Sequence, residues 1–156
     1  MNTRIAVVAV SLLTLGSYCV AQSAPTKKTA TKAAPSGPTK VTGEPTKTAS
    51  GLEYWDIKIG TGAVAAAGQH VSVDYTGWLT NGKKFDSSVG TGRPYEFKLG
   101  NGEVIKGWDE GIVGMKVGGK RQLRIPADLA YGSKGFSTLI PPDSTLVFDV
   151  RLVDAK

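Results

Sequence analysis

Few side chains in this sequence have the chemistry to act on a substrate, and several of those exclude themselves. The chain contains one cysteine, Cys19, and one histidine, His70. A Cys–His or Ser–His mechanism would therefore have to use that single imidazole. His70 alternates onto the polar side of a strand-like segment, and no G-x-S-x-G pattern supplies a nucleophile, so it reads as a surface residue. The same scarcity rules out an internal disulfide and a Cys/His zinc site, and no cofactor is expected. Residues 114–120 match G-x-x-x-x-G-K, but Arg121 stands where a P-loop needs Ser or Thr, and RQLRIP reads as a strand, so a Gly-rich turn is the better reading. What remains is a carboxylate among aromatic rings. Asp86 directly follows Phe85, and its neighbours are expected to desolvate it in part. Residues 127–143 (ADLAYGSKGFSTLIPPD) show little helix or strand period, a length at which loops are functional or disordered. Tyr131, Phe136, Leu139 and Ile140 argue that this loop folds back over something.

The elements that must hold these side chains are mainly strands. In residues 52–59 (LEYWDIKI), Trp55, Ile57 and Ile59 alternate with polar neighbours, and in residues 70–79 (HVSVDYTGWL), Val71, Val73 and Tyr75 share a face. Both show the period of a half-buried strand. Asn81-Gly82 supplies the two positive-φ positions of a type I′ turn, so residues 82–86 should return as a hairpin. Further strands are expected at 95–99, 122–125 and 145–153, the last with Leu146, Phe148, Val150 and Leu152 on one side. One segment, residues 103–112 (EVIKGWDEGI), has helical spacing in Val104, Ile105, Trp108 and Ile112. Gly107 and Gly111 each cost it about 1 kcal/mol against alanine, so packing must hold it. At i, i+4 they leave a bare patch that would let another backbone approach. The pattern predicts an α+β domain in which a twisted antiparallel sheet wraps one short helix.

Ahead of this domain, Arg4, the apolar run 5–15 and the small residues that follow have the form of a secretory signal peptide over residues 1–21, cleaved near 21–23 with loss of Cys19. The run falls short of the roughly 20 residues of a membrane helix, so no stable membrane insertion is expected after processing. The protein is expected to be exported, periplasmic or secreted. Residues 22–50, rich in Pro, Thr, Lys and Ala and without an aromatic residue or an apolar period, are predicted to be a disordered linker. Residues 24–50 carry five lysines against one glutamate, whereas residues 51–156 carry 13 basic and 12 acidic side chains, so the basic character sits mostly in the tail. Spaced lysines in a linker read as solvated charge, and no nucleic-acid partner is expected.

Four stretches, VDYTGWLTNGKKFDSS, FKLGNGEVIKGWDEGIVGMKVGGKR, AYG and IPPDSTLVFDVRLV, closely resemble the FKBP-type peptidyl-prolyl cis-trans isomerases, the macrolide-binding immunophilins. The resemblance covers residues 51–156. It implies a curved antiparallel half-barrel of five to six strands around a short helix. Motif by motif, it implies a pocket with Trp108 as floor and Tyr75, Phe85, Tyr95, Phe97, Val104, Ile105, Phe136, Ile140 and Phe148 as walls. The implied polar points are Asp86, the Tyr131 hydroxyl and the backbone of Glu103 and Ile105. Asp86, Tyr131 and Phe136 take orienting and wall roles at the reacting bond. Partners would be proline-containing polypeptides and macrolide inhibitors, and the chain would act as a monomer. Tyr95 replaces a frequent phenylalanine, and Phe136-Ser137-Thr138 replaces His-Pro-Gly or similar residues, departures that bear on substrate preference and macrolide affinity.

Such residues suit a reaction without a nucleophile. Rotation about an X–Pro bond breaks no covalent bond and opposes only amide resonance, a barrier of about 18–20 kcal/mol. The twisted transition state is less dipolar than the planar amide, so an apolar site favours it, and the polar contacts serve mainly to orient the peptide. Trp108 or Phe148 alone would read as ordinary core, but the whole set together with an aromatic loop reads as a preformed pocket. Two other classes fit parts of the sequence. A binding-only prolyl-peptide module or holdase would keep the cleft and show no proline-dependent rate, and a tail-driven polyanion binder would lose its salt-dependent binding on deletion of residues 24–50.

Overall fold

The structure, a computed structural model, describes residues 36–156. The expected signal peptide, Cys19 and the first part of the expected linker lie outside the described residues. Seven strands form one antiparallel sheet: β1 (Thr46–Lys47), β2 (Glu53–Lys58), β3 (His70–Leu79), β4 (Lys84–Ser87), β5 (Tyr95–Lys98), β6 (Lys120–Ile125) and β7 (Leu146–Ala155). The order is β1-β2-β6-β7-β3-β4, with β5 also paired to β3. The two long strands β3 and β7 run side by side from Val71 opposite Ala155 to Leu79 opposite Leu146. The edge of β3 away from β7 is shared, with β5 beside residues His70 to Val73 and β4 beside Thr76 to Trp78. All six strands read from the sequence are present, and the seventh, β1, comes from the stretch predicted to be disordered.

That stretch is a correction. Within residues 22–50, the segment from Thr39 onward is held against the sheet. Thr39 donates its main-chain N–H (3.1 Å) and its hydroxyl to the carboxylate of Asp149. Its carbonyl accepts from Gln122 Nε2 at 2.7 Å, and Lys120 Nζ reaches the Thr39 hydroxyl at 3.0 Å. Further along, Gly43 C=O accepts from Trp55 Nε1 at 3.0 Å, and β1 pairs with β2. Composition predicts disorder because the segment has no apolar face to bury. The holding force here is polar instead, supplied by a buried carboxylate on a strand about a hundred residues away, which local sequence cannot reveal.

The helix-side core is made of Val71 and Val73 on β3, Leu123 and Ile125 on β6, Leu146, Phe148, Val150 and Leu152 on β7, and Trp108 and Ile112 of the helix, all buried. On β2 the faces are the reverse of those expected. Leu52 and Tyr54 turn toward the core, while Ile57 and Ile59 are exposed. Hydropathy misassigned this strand because the polar groups on its core-side face are met across the sheet by the buried Arg121. Arg121 lies 4.1 Å over the Tyr54 ring and forms a two-point ion pair with Asp56, at 2.6 and 3.1 Å. The outer face, by contrast, receives the Thr39–Lys47 segment over Trp55. The β3–β4 hairpin forms, yet its turn is not type I′. Gly82 is at φ 83° but Asn81 is not at positive φ, and the Gly82 N–H closes onto Leu79 C=O while Leu79 N–H pairs with Lys83 C=O. This is a three-residue loop with glycine in the left-handed position, the next most common hairpin geometry.

The helix α1 spans Lys106–Ile112, shorter than residues 103–112. Side-chain carboxylates instead fix the turn that leads into the helix. Asp109 accepts from the N–H groups of Gly100 (2.8 Å) and Gly102 (3.0 Å), and Glu103 accepts from Lys98 N–H at 3.0 Å. Residues 99–104 are thereby held as turns, and Ile105 at ψ 146° is extended. Gly107 and Gly111 do provide a bare face, but what approaches it is side chains and not backbone. A Cβ on Gly107 would stand 2.4 Å from Ile125, and one on Gly111 would stand 2.7 Å from Leu123. The helix thus seats directly on β6. Residues 127–143 are built from two 3-10 turns, Ala127–Leu129 and Gly132–Lys134, and a small loop closed by paired hydrogen bonds between Phe136 and Ile140.

Candidate active site

Between α1, the helix side of the sheet and the 127–143 loop lies a cleft of about 840 Å³. Its floor is Trp108, 5% exposed, which α1 delivers from the face opposite the exposed Lys106 and Glu110. Rings from three strands stand around the indole. Tyr75 meets it edge-on at 4.9 Å and Phe148 at 5.2 Å, with Phe97 at 5.8 Å and Tyr95 at 6.2 Å. Such T-shaped contacts place the positive edge of one ring on the negative face of another, worth about 0.5–1.5 kcal/mol each beyond burial. The rings are locked in place by missing bulk beneath them. Phe85 and Phe148 meet at 5.5 Å over Gly77, where a Cβ would come within 2.7 Å of both. The alternation of β3 thus delivers Tyr75 to the cleft and leaves room two residues later for the wall.

Polar groups are few and lie at the rim. Asp86, on β4, accepts from the Tyr75 hydroxyl at 2.6 Å and from Ser87 N–H at 2.8 Å. It is exposed, which corrects the expectation that its aromatic neighbours desolvate it. Burial, then the hydrogen bond to Asp86 and its charge, push the Tyr75 hydroxyl far above the usual tyrosine range. Burial and, after it, the Asp86 charge raise Tyr131 as well. Both hydroxyls therefore stay protonated at neutral pH and act as donors, not as bases. Tyr131 stacks on Phe136 at 4.9 Å, and Phe136 is 56% exposed at the cleft mouth. The backbone positions are open in a consistent way. Ile105 C=O is occupied by the N–H groups of Trp108 and Asp109, whereas Ile105 N–H and Glu103 C=O have no partner among the described residues. Trp108 Nε1 is likewise buried without a partner among those residues.

The structure brings eleven of the thirteen sequence-predicted residues to the cleft lining. Phe97 and Ile140 stand behind it, 3% exposed each: Phe97 backs Trp108 and Tyr95, and Ile140 pins the base of the small loop that carries Phe136. The lining also includes Lys106, Asp128 and Ala130, which sequence reasoning passed over. Exposed charged residues such as Lys106 at the start of α1 and Asp128 in a 3-10 turn carry no apolar signal, so only the fold shows that they share a rim with Asp86.

A profile described as FKBP-type peptidyl-prolyl cis-trans isomerase matches residues 62–153. The chain belongs to this family. The FKBP domain here is 57% identical over 111 residues to FK506-binding protein 4 of Rhizopus delemar, covering 71% of this chain and 29% of that protein. It is 52% identical over 103 residues to the FK506-binding protein of Neisseria meningitidis serogroup B, covering 66% of this chain and 94% of that one. The chain thus spans under a third of the fungal relative and nearly all of the bacterial one. Among solved structures, AtFKBP13 is similar with a TM-score of 0.68 at 46% identity, covering 72% of this chain and 99% of that one. FkpA from Escherichia coli is similar with a TM-score of 0.67 at 45% identity, covering 72% of this chain and 51% of that one. These likenesses agree with the α+β reading of a curved antiparallel sheet around one helix.

The remaining motif is closed in this FKBP domain. In residues 114–120, the N–H groups of Gly114, Met115, Val117, Gly118 and Gly119 donate to carbonyls of Ala65, Ile112, Ala63, Leu152 and Lys116. No nest of free amides is left for a phosphate. In the depression of about 170 Å³ beside this turn, the buried Arg121 is committed to Asp56 and to Gly111 C=O.

Proposed function

We propose that the protein catalyses cis/trans isomerisation of X–Pro bonds in exported polypeptides, as a monomer and without covalent catalysis. The observation that carries this reading is the cleft itself: a deep aromatic floor on Trp108 with a main-chain donor at its edge, Ile105 N–H, that has no partner among the described residues. A prolyl ring seated on the indole would place its amide in apolar surroundings, where the twisted and less dipolar transition state gains on the planar ground state. Ile105 N–H would hold a neighbouring peptide carbonyl, and the Tyr131 hydroxyl would orient the chain, so that binding energy is spent on position. The Tyr75 and Tyr131 hydroxyls, held protonated at neutral pH, act as donors. Macrolides, to which the relatives' names refer, would occupy the same floor. The N-terminal pattern of Arg4 and the apolar run 5–15 supports export.

The test is the isomerisation rate of short X–Pro peptides, followed by exchange spectroscopy on the exported protein. An acceleration proportional to enzyme concentration supports the reading. Saturable peptide binding with no change in exchange rate would assign the cleft to a binding-only module. Intact mass of the exported protein checks processing near residues 21–23.

A further inference from the structure

The cleft mouth carries a charge opposite to that of the protein. The sequence has a formal net charge of +6, yet the ionisable carboxylate and ammonium groups of the lining are Asp86, Glu103 and Asp128 against Lys106, a net of −2. None of the four is in an ion pair among the described residues. Asp86 and Glu103 are hydrogen-bonded by neutral donors, namely the Tyr75 hydroxyl, Ser87 N–H, Lys98 N–H and the Asn101 amide, and the basic groups of His70 and Lys98 act on Glu103 without pairing with it. Exposed aromatic side chains line the same cleft as these carboxylates. Tyr95 is 43% exposed and Phe136 is 56% exposed, at the same rim as the half-buried Tyr131. Unpaired carboxylates sharing a rim with exposed aromatic side chains are surroundings that attract a lysine or arginine side chain, by Coulomb attraction and by contact of the cation with a ring.

From this arrangement we propose that the site selects prolyl segments with a lysine or arginine flanking the proline, and disfavours those with glutamate or aspartate there. The inference rests on the isomerase reading and names its substrate class. The apolar floor takes the proline ring, and the acidic, aromatic rim reads the neighbour. The field of Asp86 is felt within the cleft, since its charge contributes to raising both Tyr75 and Tyr131. The sign of the selection also separates the rim from the protein as a whole. Steering by the overall positive charge would favour acidic peptides, so a preference for basic ones must come from the local groups.

The experiment compares tetrapeptides that differ only beside the proline, with Lys, Ala or Glu before it and, in a second set, after it, using exchange spectroscopy on the full chain. Two net charges acting through water over roughly 8–10 Å correspond to about threefold in each direction at low ionic strength, hence about tenfold in kcat/KM between Lys and Glu in at least one set. The ratio is expected to fall below about twofold in 0.5 M NaCl, where the screening length is under half the separation. In Asp128→Asn combined with Glu103→Gln, the Lys/Glu ratio should drop to about threefold or less. Because it is a ratio on one enzyme preparation, a general loss of activity cancels. A Lys/Glu ratio within twofold of one in both sets, with the Ala peptide still turned over, overturns the selection and leaves the isomerase reading standing. A ratio favouring Glu also overturns it. Failure to accelerate any of the peptides, Ala included, would overturn the isomerase reading beneath it.

Discussion

The polar clamp between Thr39 and Asp149 makes a quantitative demand on where this domain begins. Asp149 is 5% exposed on the sheet face opposite Phe148, and its carboxylate is served by Gln122 Nε2 at 2.8 Å, by Lys120 Nζ at 3.3 Å and by two donors of Thr39. Thr39→Ala removes the hydroxyl donor and keeps the main-chain one. A hydrogen bond to a charged group contributes about 1.5–3 kcal/mol, and the lower end applies because Thr39 is only half-buried and water can reach the vacated position. A loss of about 1.5 kcal/mol corresponds to roughly 6–8 °C in Tm for a domain of this size. Thr39→Ser keeps the hydroxyl and should recover most of that loss. In an Asp149→Asn background, where the acceptor charge is gone, Thr39→Ala should cost well under 1 kcal/mol, which is the signature of coupled partners. Thermal melts of the four variants check this, together with melts of chains starting at residue 36 and at residue 51. Catalysis by the folded variants should stay within about threefold of the parent, since the clamp and the cleft lie on opposite faces of β7. Equal melting within 2 °C of the parent for Thr39→Ala, and of the two chain lengths for each other, would refute the reasoning and return residues 39–50 to the status of a linker.

Trp108→Leu should keep a packed apolar side chain but weaken prolyl-peptide or macrolide binding by at least tenfold, about 1.4 kcal/mol, whereas Trp55→Phe with Trp78→Phe should leave the ligand-induced fluorescence change intact; titration and a thermal melt on one Trp108→Leu preparation separate binding from stability. Asp86→Ala, Tyr131→Phe and Phe136→Ala should each retain measurable isomerisation, because the floor and the Ile105 N–H remain, and a fall to the uncatalysed rate in folded Tyr131→Phe would demand an acid or nucleophile role. Tyr75 binds its proton more tightly folded than unfolded, so stability is full below about pH 10 and declines as pH rises above it. Tm followed from pH 8.5 to 11 should therefore fall less steeply in Tyr75→Phe than in the parent.

How far the site could be read ahead of the fold depended on the kind of signal each part leaves. Tyr75, Phe148 and Trp108 were legible because each sits in a strong period, two along a strand and three to four along the helix, and so declares its face. Phe97 shares the strand period and Ile140 is an apolar residue of the loop, and yet both stand one layer behind the cleft. Lining and backing residues have the same hydropathy, and only the crowding around Trp108 tells them apart. The rim acids followed no period at all.

From the sequence alone came the element types, the antiparallel sheet around a single short helix, the single cysteine and single histidine, and the family motifs. These are consequences of local alternation and of residue inventory, which the chain carries wherever it is folded. The tertiary structure decided which face of β2 is buried, where α1 starts, and that Thr39 belongs to the domain. Each of those depended on a partner outside the segment it fixes: Arg121 over Tyr54 and Asp149 beneath Thr39, both far away in the chain, and Asp109, nearer, under the Gly100 and Gly102 amides. A polar group becomes an inner residue only when another polar group meets it there, and the position of that second group is a property of the fold, not of the segment.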